Sequence, residues 1–250
     1  MRPARLLVDV GNSRIKWVLT TDSGWTPGVP FLTHERPLVS ALDRHWSKLE
    51  RPAAVAVSNV AGPEIAEHID HWVGKHWNIP VHYAQSERWR RPVVNGYTRP
   101  EQLGVDRWLG LLALQASYSL PACLVDCGTA ITLDVLDDHA RHCGGLIAPG
   151  LMTMQRSLQL ETHAISPLEC QEKTGLLGRD TQSCIELGTL MACAGLVEKT
   201  LVNLGRQFNL PMQLVLTGGD ALRLRDYLMV PSQLCEDMVL RGLNAWFSEA

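Results

Sequence analysis

The sequence has no excess of basic charge: 23 lysines and arginines stand against 26 aspartates and glutamates, a formal net charge of −3 over 250 residues. No positive field therefore draws the chain to nucleic acid or to an anionic membrane. It has no long apolar run near its start either. The stretch Leu6-Leu7-Val8 ends at Asp9, far short of a signal-peptide core, so no export is expected. The longest uncharged run, Trp108 to Val125, is broken by Gln115, Ser117, Ser119 and Pro121. It reads as a buried helix followed by a core strand, not as a membrane span. The seven cysteines are odd in number and scattered, with no CxxC pair, which fits reduced thiols in a cytoplasm. Walker A and GxGxxG patterns are also missing, and this excludes the P-loop and Rossmann readings at motif level.

With 46% apolar and 20% charged residues, the chain can bury a sizeable core as one large domain or two small ones. Residues 5–10 and 14–20 read as two strands joined by the tight turn Gly11-Asn12-Ser13. An apolar piece near Val29–Leu32, a helix over 38–49, a buried strand over 53–58, a helix over 63–77 opened by Pro63, and a strand over 80–83 follow. The second half begins again with strand, turn, strand, turn, strand from Ala122 to Ala148. Helices over 150–160 and 181–208, a strand over 213–216 and two further helices complete it.

Set side by side, Leu6-Leu7-Val8-Asp9-Val10-Gly11-Asn12 and Cys123-Leu124-Val125-Asp126-Cys127-Gly128-Thr129 share an apolar strand ending in Asp-x-Gly. Each opens a β-hairpin, about half the chain length apart. Either copy alone can be an ordinary turn; two in matched context predict two related α/β lobes, residues 1–118 and 119–250, facing one another. Such turns expose backbone N–H groups that hold phosphate oxygens, and the strand-end aspartate adds a hard oxygen for a cation. Asp9 and Asp126 are therefore candidates to hold metal ions against a polyphosphate. A third element, Leu216-Thr217-Gly218-Gly219-Asp220, runs from a strand through a Gly-Gly turn into a helix and suits a ribose or adenine.

These three segments resemble the phosphate-1, phosphate-2 and adenosine motifs of the acetate kinase, sugar kinase, Hsp70 and actin superfamily. The block Asn95-Gly96-Tyr97-Thr98-Arg99-Pro100-Glu101-Gln102-Leu103-Gly104-Val105-Asp106-Arg107-Trp108, with Gly144-Gly145-Leu146-Ile147-Ala148-Pro149-Gly150-Leu151, closely resembles type III pantothenate kinase. The similarity runs in order from the first strand to Asp220. It implies an α/β fold of two ribonuclease-H-like lobes, a duplicated actin-like ATPase with a nucleotide cleft between them.

Read from the residues, Gly104 puts Asp106 and Arg107 at a loop-to-helix junction. There a carboxylate can accept a proton from a substrate hydroxyl and a guanidinium can bind a carboxylate or phosphate charge. Seen alone, Asp106 is equally well a helix cap. The resemblance implies a kinase that uses ATP, Mg²⁺ and a monovalent cation, K⁺ or NH₄⁺, to phosphorylate pantothenate to 4′-phosphopantothenate, the first step to coenzyme A. It makes Asp106 the proton acceptor, with Tyr97, Gly104, Val105, Asp106, Arg107 and Thr181 at the pantothenate site. Asp9, Val10, Gly11, Asn12, Ser13, Arg14, Ile15 and Lys16 would hold ATP, with Asp9 facing the magnesium-bound phosphates. Thr129, Gly218 and Gly219 are further nucleotide positions, and Asp126 the monovalent-cation position. It also implies a cytoplasmic homodimer, with substrate near the subunit interface, so Thr181 and the long helix are candidates to act across it.

Some readings stay open at this level. Lys16 is alternatively an exposed strand lysine, and Thr181 a simple helix cap. Ser13 stands where a threonine is common and keeps the hydroxyl. The stretch from Thr162 to Pro167 resembles the family only loosely. Residues 137–143 (Asp-Asp-His-Ala-Arg-His-Cys) offer metal ligands, but a polar hairpin turn explains the same letters. His68, His71 and His76 are expected at a helix surface, and the tryptophans in packing. A regulatory protein that binds nucleotide without turnover is the main rival. A polymerising ATPase leaves the 95–108 block unexplained.

Overall fold

The computed structural model describes residues 4–22, 24–161, 175–208 and 211–248. The chain forms two compact units, Met1–Ser117 with Met238–Ala250, and Tyr118–Asp237.

In the first unit β1 (Arg5–Val10), β2 (Arg14–Thr21) and β3 (Gly24–Pro27) form an antiparallel meander, with β4 (Phe31–Leu32) added to the start of β2. Helix α1 (Leu38–Trp46), strand β5 (Ala54–Asn59), helix α2 (Pro63–Trp77) and strand β6 (Val81–Tyr83) follow. β5 pairs parallel with β1, and β6 parallel with β5, for a sheet order β3-β2-β1-β5-β6. Leu6, Leu7 and Val8 of β1 are each fully buried; a central strand covered on both faces needs a continuous apolar run instead of alternation. Pro63 opens α2, and Asn78 ends it in the left-handed region at φ 52°. Between the helices Trp46 meets Trp72 edge-on, ring centres 5.6 Å apart, and stacks on Trp77 at 6.3 Å. Each such aromatic pair adds about 0.5–1.5 kcal/mol beyond its area. A short ribbon of β7 (Trp89–Arg90) and β8 (Val93–Val94) leads into α3 (Val105–Ser117).

The second unit repeats the plan. β9 (Ala122–Cys127), β10 (Ala130–Leu136) and β11 (His142–Pro149) form the meander; α4 (Leu151–Glu161) and α5 (Thr181–Phe208) follow, then β12 (Gln213–Thr217), α6 (Ala221–Arg225) and β13 (Gln233–Leu234). The order is β11-β10-β9-β12-β13, with β12 parallel to β9 and β13 parallel to β12. The repeat seen in two short motifs thus extends to whole sheets. The uncharged run resolves into α3 and β9, a buried helix and a core strand.

The last helix, α7 (Met238–Ser248), departs from the expected boundary. The sequence reading carries the second lobe to residue 250, but α7 belongs to the first unit and packs on α3. A Cβ at Gly242 would collide with the Leu109 carbonyl, so the two backbones touch there. Arg5 also donates to the Ser248 hydroxyl at 2.9 Å. Periodicity shows that Met238, Val239, Leu240 and Leu243 need cover; it does not say which unit supplies it.

Candidate active site

The β1–β2 turn closes when the Gly11 N–H donates to the Arg14 carbonyl at 3.1 Å. Asp9 lies opposite Lys16 in the register, so carboxylate and ammonium share one face of the sheet. Both are half-buried, while Asn12, Ser13 and Arg14 are exposed. Val10 and Ile15, expected among the nucleotide-binding residues, have fully buried side chains in the core. Only their backbone can face a ligand, because alternation along the strand points these two inward. On the other side of Asp9 the register places Ser58 of β5. That hydroxyl is buried with no hydrogen-bond partner among the described residues.

The loop before α3 is built around Asn95, only 1% exposed. Its amide nitrogen donates to the carbonyls of Glu87 at 3.0 Å and Pro100 at 3.3 Å, and its side-chain oxygen accepts the Tyr97 N–H at 3.0 Å. Arg88 donates to the carbonyls of Tyr97 and Thr98, and the Ser86 hydroxyl to Leu103 at 2.7 Å. Side chains thus satisfy backbone carbonyls of this loop that no sheet ladder pairs. Arg107, 8% exposed, donates to the Tyr97 hydroxyl at 2.8 Å. Glu87 in turn accepts the Trp246 indole N–H at 2.8 Å and pairs with Arg90 at 3.0 Å, which ties the loop to α7.

Asp106 sits in the first turn of α3, where its Oδ1 accepts the Arg107 N–H at 2.8 Å. A Cβ on Gly104 would lie 2.6 Å from that oxygen, so the residue at 104 must lack a side chain for this carboxylate position. The Trp108 N–H donates to the Gly104 carbonyl at 2.9 Å and starts the helix. Val105 is half-buried beside them. Because α3 begins at Val105, Asp106 lies inside the first turn and is not the cap residue; a carboxylate there is favoured by the helix dipole.

In the second unit Asp126 and the Gly218 turn come together. Gly218 has φ +92°, and a Cβ there would collide with Asp126 Oδ1 and the Cys127 carbonyl. Gly219 is sterically open, so only the first glycine of the pair is required by shape. The Asp220 N–H donates to the Cys127 carbonyl at 3.0 Å. Arg223 binds Asp220 at 3.1 Å and Glu186 at 3.0 Å, fixing α6 against α5. The β9–β10 turn is equally tight. Gly128 donates to Ala130, and the exposed Thr129 accepts at its carbonyl from the Gly150 N–H at 3.0 Å and the Thr153 hydroxyl at 2.6 Å. A side chain at Gly150 would strike the Gly128 carbonyl. Burial, then the charges of Asp126, Cys193 and Asp220, push the Cys127 thiol far up, so it stays protonated.

Thr181 lies apart from this turn, exposed at the first residue of α5. It is not the cap: Asp180 accepts the Ser183 N–H at 2.9 Å, and that bond holds the Asp180 carboxyl below its ordinary range. Thr181 instead lines a cavity of about 850 Å³ with Met154, Leu158, Ile185 and Thr189. Thr162 lies outside the described residues.

The 137–143 segment is a hairpin turn. Asp137 accepts the N–H groups of His139 and Arg141, Ala140 takes φ 59°, and His142 is buried against Asp134 at 2.9 Å. Of the helix α2 histidines, His71 is exposed and His76 stacks on Trp72 at 4.2 Å.

Residues that sequence reasoning did not single out include Thr33, Ser58 and Thr153, each a lone hydroxyl without motif context. Asn95 stood inside the recognised block without a role.

Two sheets of one topology, each opening on an Asp-x-Gly hairpin, define a duplicated actin-like ATPase fold, the class that includes sugar kinases. Among solved structures the chain is similar to a conserved Baf family protein from Campylobacter jejuni, with a TM-score of 0.62, 19% identity and 98% of each chain covered. It is also similar to a glucokinase from an Antarctic psychrotroph, with a TM-score of 0.50, 11% identity and 99% of each covered. The chain itself belongs to the type III pantothenate kinase family, whose model matches residues 5–203. It is 36% identical over 244 residues to the type III pantothenate kinase of Nitrosococcus oceani, covering 95% of this chain and 91% of that one. To that of Burkholderia lata it is 35% identical over 260 residues, covering 100% and 97%.

Proposed function

We propose that the chain transfers the terminal phosphoryl group of ATP to the primary hydroxyl of pantothenate, giving 4′-phosphopantothenate and ADP in the first step of coenzyme A biosynthesis. Family membership supports the reaction. The observation that carries the site assignment is the Asn95-braced loop, which delivers Tyr97, Gly104, Asp106 and Arg107 as one constellation.

In this reading Asp106 accepts the hydroxyl proton as the new P–O bond forms. Arg107, oriented by Tyr97, binds the pantothenate carboxylate or the developing phosphate charge, and its planar fork suits either. The phosphoryl-transfer transition state is loose, so positioning and charge neutralisation contribute more than the proton transfer itself. In the first unit, the N–H groups of Asn12 and Ser13 at the exposed tip of the turn and the Lys16 ammonium receive phosphate oxygens. In the second, Thr129 and the Gly218-Gly219 turn receive the nucleotide. Thr181 contacts pantothenate from the α5 end.

The residues present fit both cations. Magnesium in kinase sites keeps waters and phosphate oxygens and takes only one or two protein carboxylates; Asp9, half-buried beside a turn of donors, is such a carboxylate. Asp126, with a cradle that a Cβ at Gly218 would fill, offers a hard-oxygen site for K⁺ or NH₄⁺. When bound, the cations neutralise phosphate charge. We further assign the chain to the cytoplasm as a homodimer; the exposed Met152 and Leu158 of α4 and Met191 of α5 support the second point.

The test is to incubate the purified protein with ATP and magnesium, with and without pantothenate, in potassium, ammonium or neither. Pantothenate-dependent ADP release, with phosphopantothenate seen by mass, is expected. Release without pantothenate indicates an ATPase, and nucleotide binding without release indicates a regulator.

A further inference from the structure

Thr33 is fully buried, yet both of its hydrogen-bond donors are spent on the exposed β1–β2 turn. Its hydroxyl donates to the Gly11 carbonyl at 2.7 Å, and its N–H donates to the Ser13 carbonyl at 3.2 Å. The residue cannot drift, because β4 just before it is paired with β2, Phe31 against Ile15 and Leu32 against Arg14. In a planar trans peptide the carbonyl and the following N–H point in opposite directions. With the Gly11 carbonyl drawn in to Thr33, the Asn12 N–H must face the other way, on the exposed side of the turn.

That direction matters for an anion. Gly11 has no Cβ to resist rotation of the Gly11–Asn12 peptide, and a flipped peptide presents a carbonyl oxygen where a donor is needed. We propose that Thr33 is a positioning residue for nucleotide phosphate binding, locking the Gly11–Asn12 peptide so that the Asn12 N–H donates to a phosphate oxygen. The proposal rests on the ATP-binding reading above, and nothing in the recognised motifs includes this residue.

The experiment compares Thr33→Val, which keeps the shape and removes the hydroxyl, with Thr33→Ser, which keeps the hydroxyl. Each is titrated with MgADP by calorimetry and assayed for ATP and pantothenate kinetics. Loss of a buried hydrogen bond is expected to weaken MgADP and raise KM for ATP in Thr33→Val on the order of tenfold. KM for pantothenate is expected to stay level, and Thr33→Ser to match the wild type. Equal loss in both variants, or a parallel rise in both KM values, makes Thr33 merely structural and overturns the proposal, as does unchanged MgADP affinity in Thr33→Val. If Thr33→Val does not fold, the Asn12 amide of the wild type decides by NMR: it must shift strongly on adding MgADP, and no shift overturns the proposal. A wild type that binds MgADP but leaves pantothenate unphosphorylated defeats the kinase reading alone, and the Thr33 comparison still stands on binding.

Discussion

The guanidinium of Arg107 donates to the hydroxyl of Tyr97 at 2.8 Å, with its central carbon 5.6 Å from the ring centre. A hydrogen bond and a cation–π contact thus aim one charged group, and the Tyr97 backbone is itself held by Asn95. A hydrogen bond to a charged group contributes roughly 1.5–3 kcal/mol. Tyr97→Phe is therefore expected to raise KM for pantothenate about ten- to a hundredfold while changing KM for ATP little. Steady-state kinetics in each substrate checks it; equal effects on both would count against the substrate-side assignment. Arg107→Lys should not restore binding, since an ammonium cannot reproduce the fork.

Asp106→Asn keeps the size and first-turn position of the side chain and removes its basicity. General base catalysis contributes typically about 10²–10⁴-fold, and a loose transition state favours the lower end. The expected outcome is a kcat lowered roughly a hundredfold with MgADP affinity intact, read by turnover and calorimetry on one preparation. Undiminished turnover would remove Asp106 from the mechanism.

Asp126→Ala takes the hard oxygen from the second hairpin. Rates measured in potassium, ammonium and a large organic cation are expected to converge in this variant and to differ in the wild type. Retained cation dependence would send the search for the monovalent site elsewhere.

Gly218→Ala brings two penalties together: a φ of +92° that L residues rarely adopt, and a Cβ in collision with Asp126 and the Cys127 carbonyl. Backbone strain of this kind costs about 1–3 kcal/mol, before the clash is relieved. A lower melting temperature together with weakened nucleotide binding is expected. Gly219→Ala, at an open position, should leave both nearly unchanged.

The local structure of the candidate site was largely legible because it rests on contiguous letters. Asp9 to Lys16, Asn95 to Trp108, and Leu216 to Asp220 are each one local device, a hairpin or a loop-to-helix turn, whose residues have short-range reasons for their spacing. The duplication was legible for the same reason, since both strands ending in Asp-x-Gly open a hairpin.

What lay beyond reading were the partners supplied from a distance. Thr33 reaches back to Gly11 across 22 residues, and Trp246 reaches Glu87 across 159; no spacing rule connects such pairs. Ser58 and Asp9 became neighbours only when β5 paired parallel to β1. Val10 and Ile15 sat inside a motif, yet strand alternation sent their side chains to the core.

By itself, then, the sequence determined the local elements, the repeated hairpins and the residue types available for phosphoryl transfer, because these follow from backbone propensity and side-chain chemistry within a few positions. Only the tertiary structure decided that α7 covers α3 and that the buried Thr33 hydroxyl braces the β1–β2 turn. An apolar face or an unpaired carbonyl specifies that it must be covered, and the packing of the whole chain chooses by what.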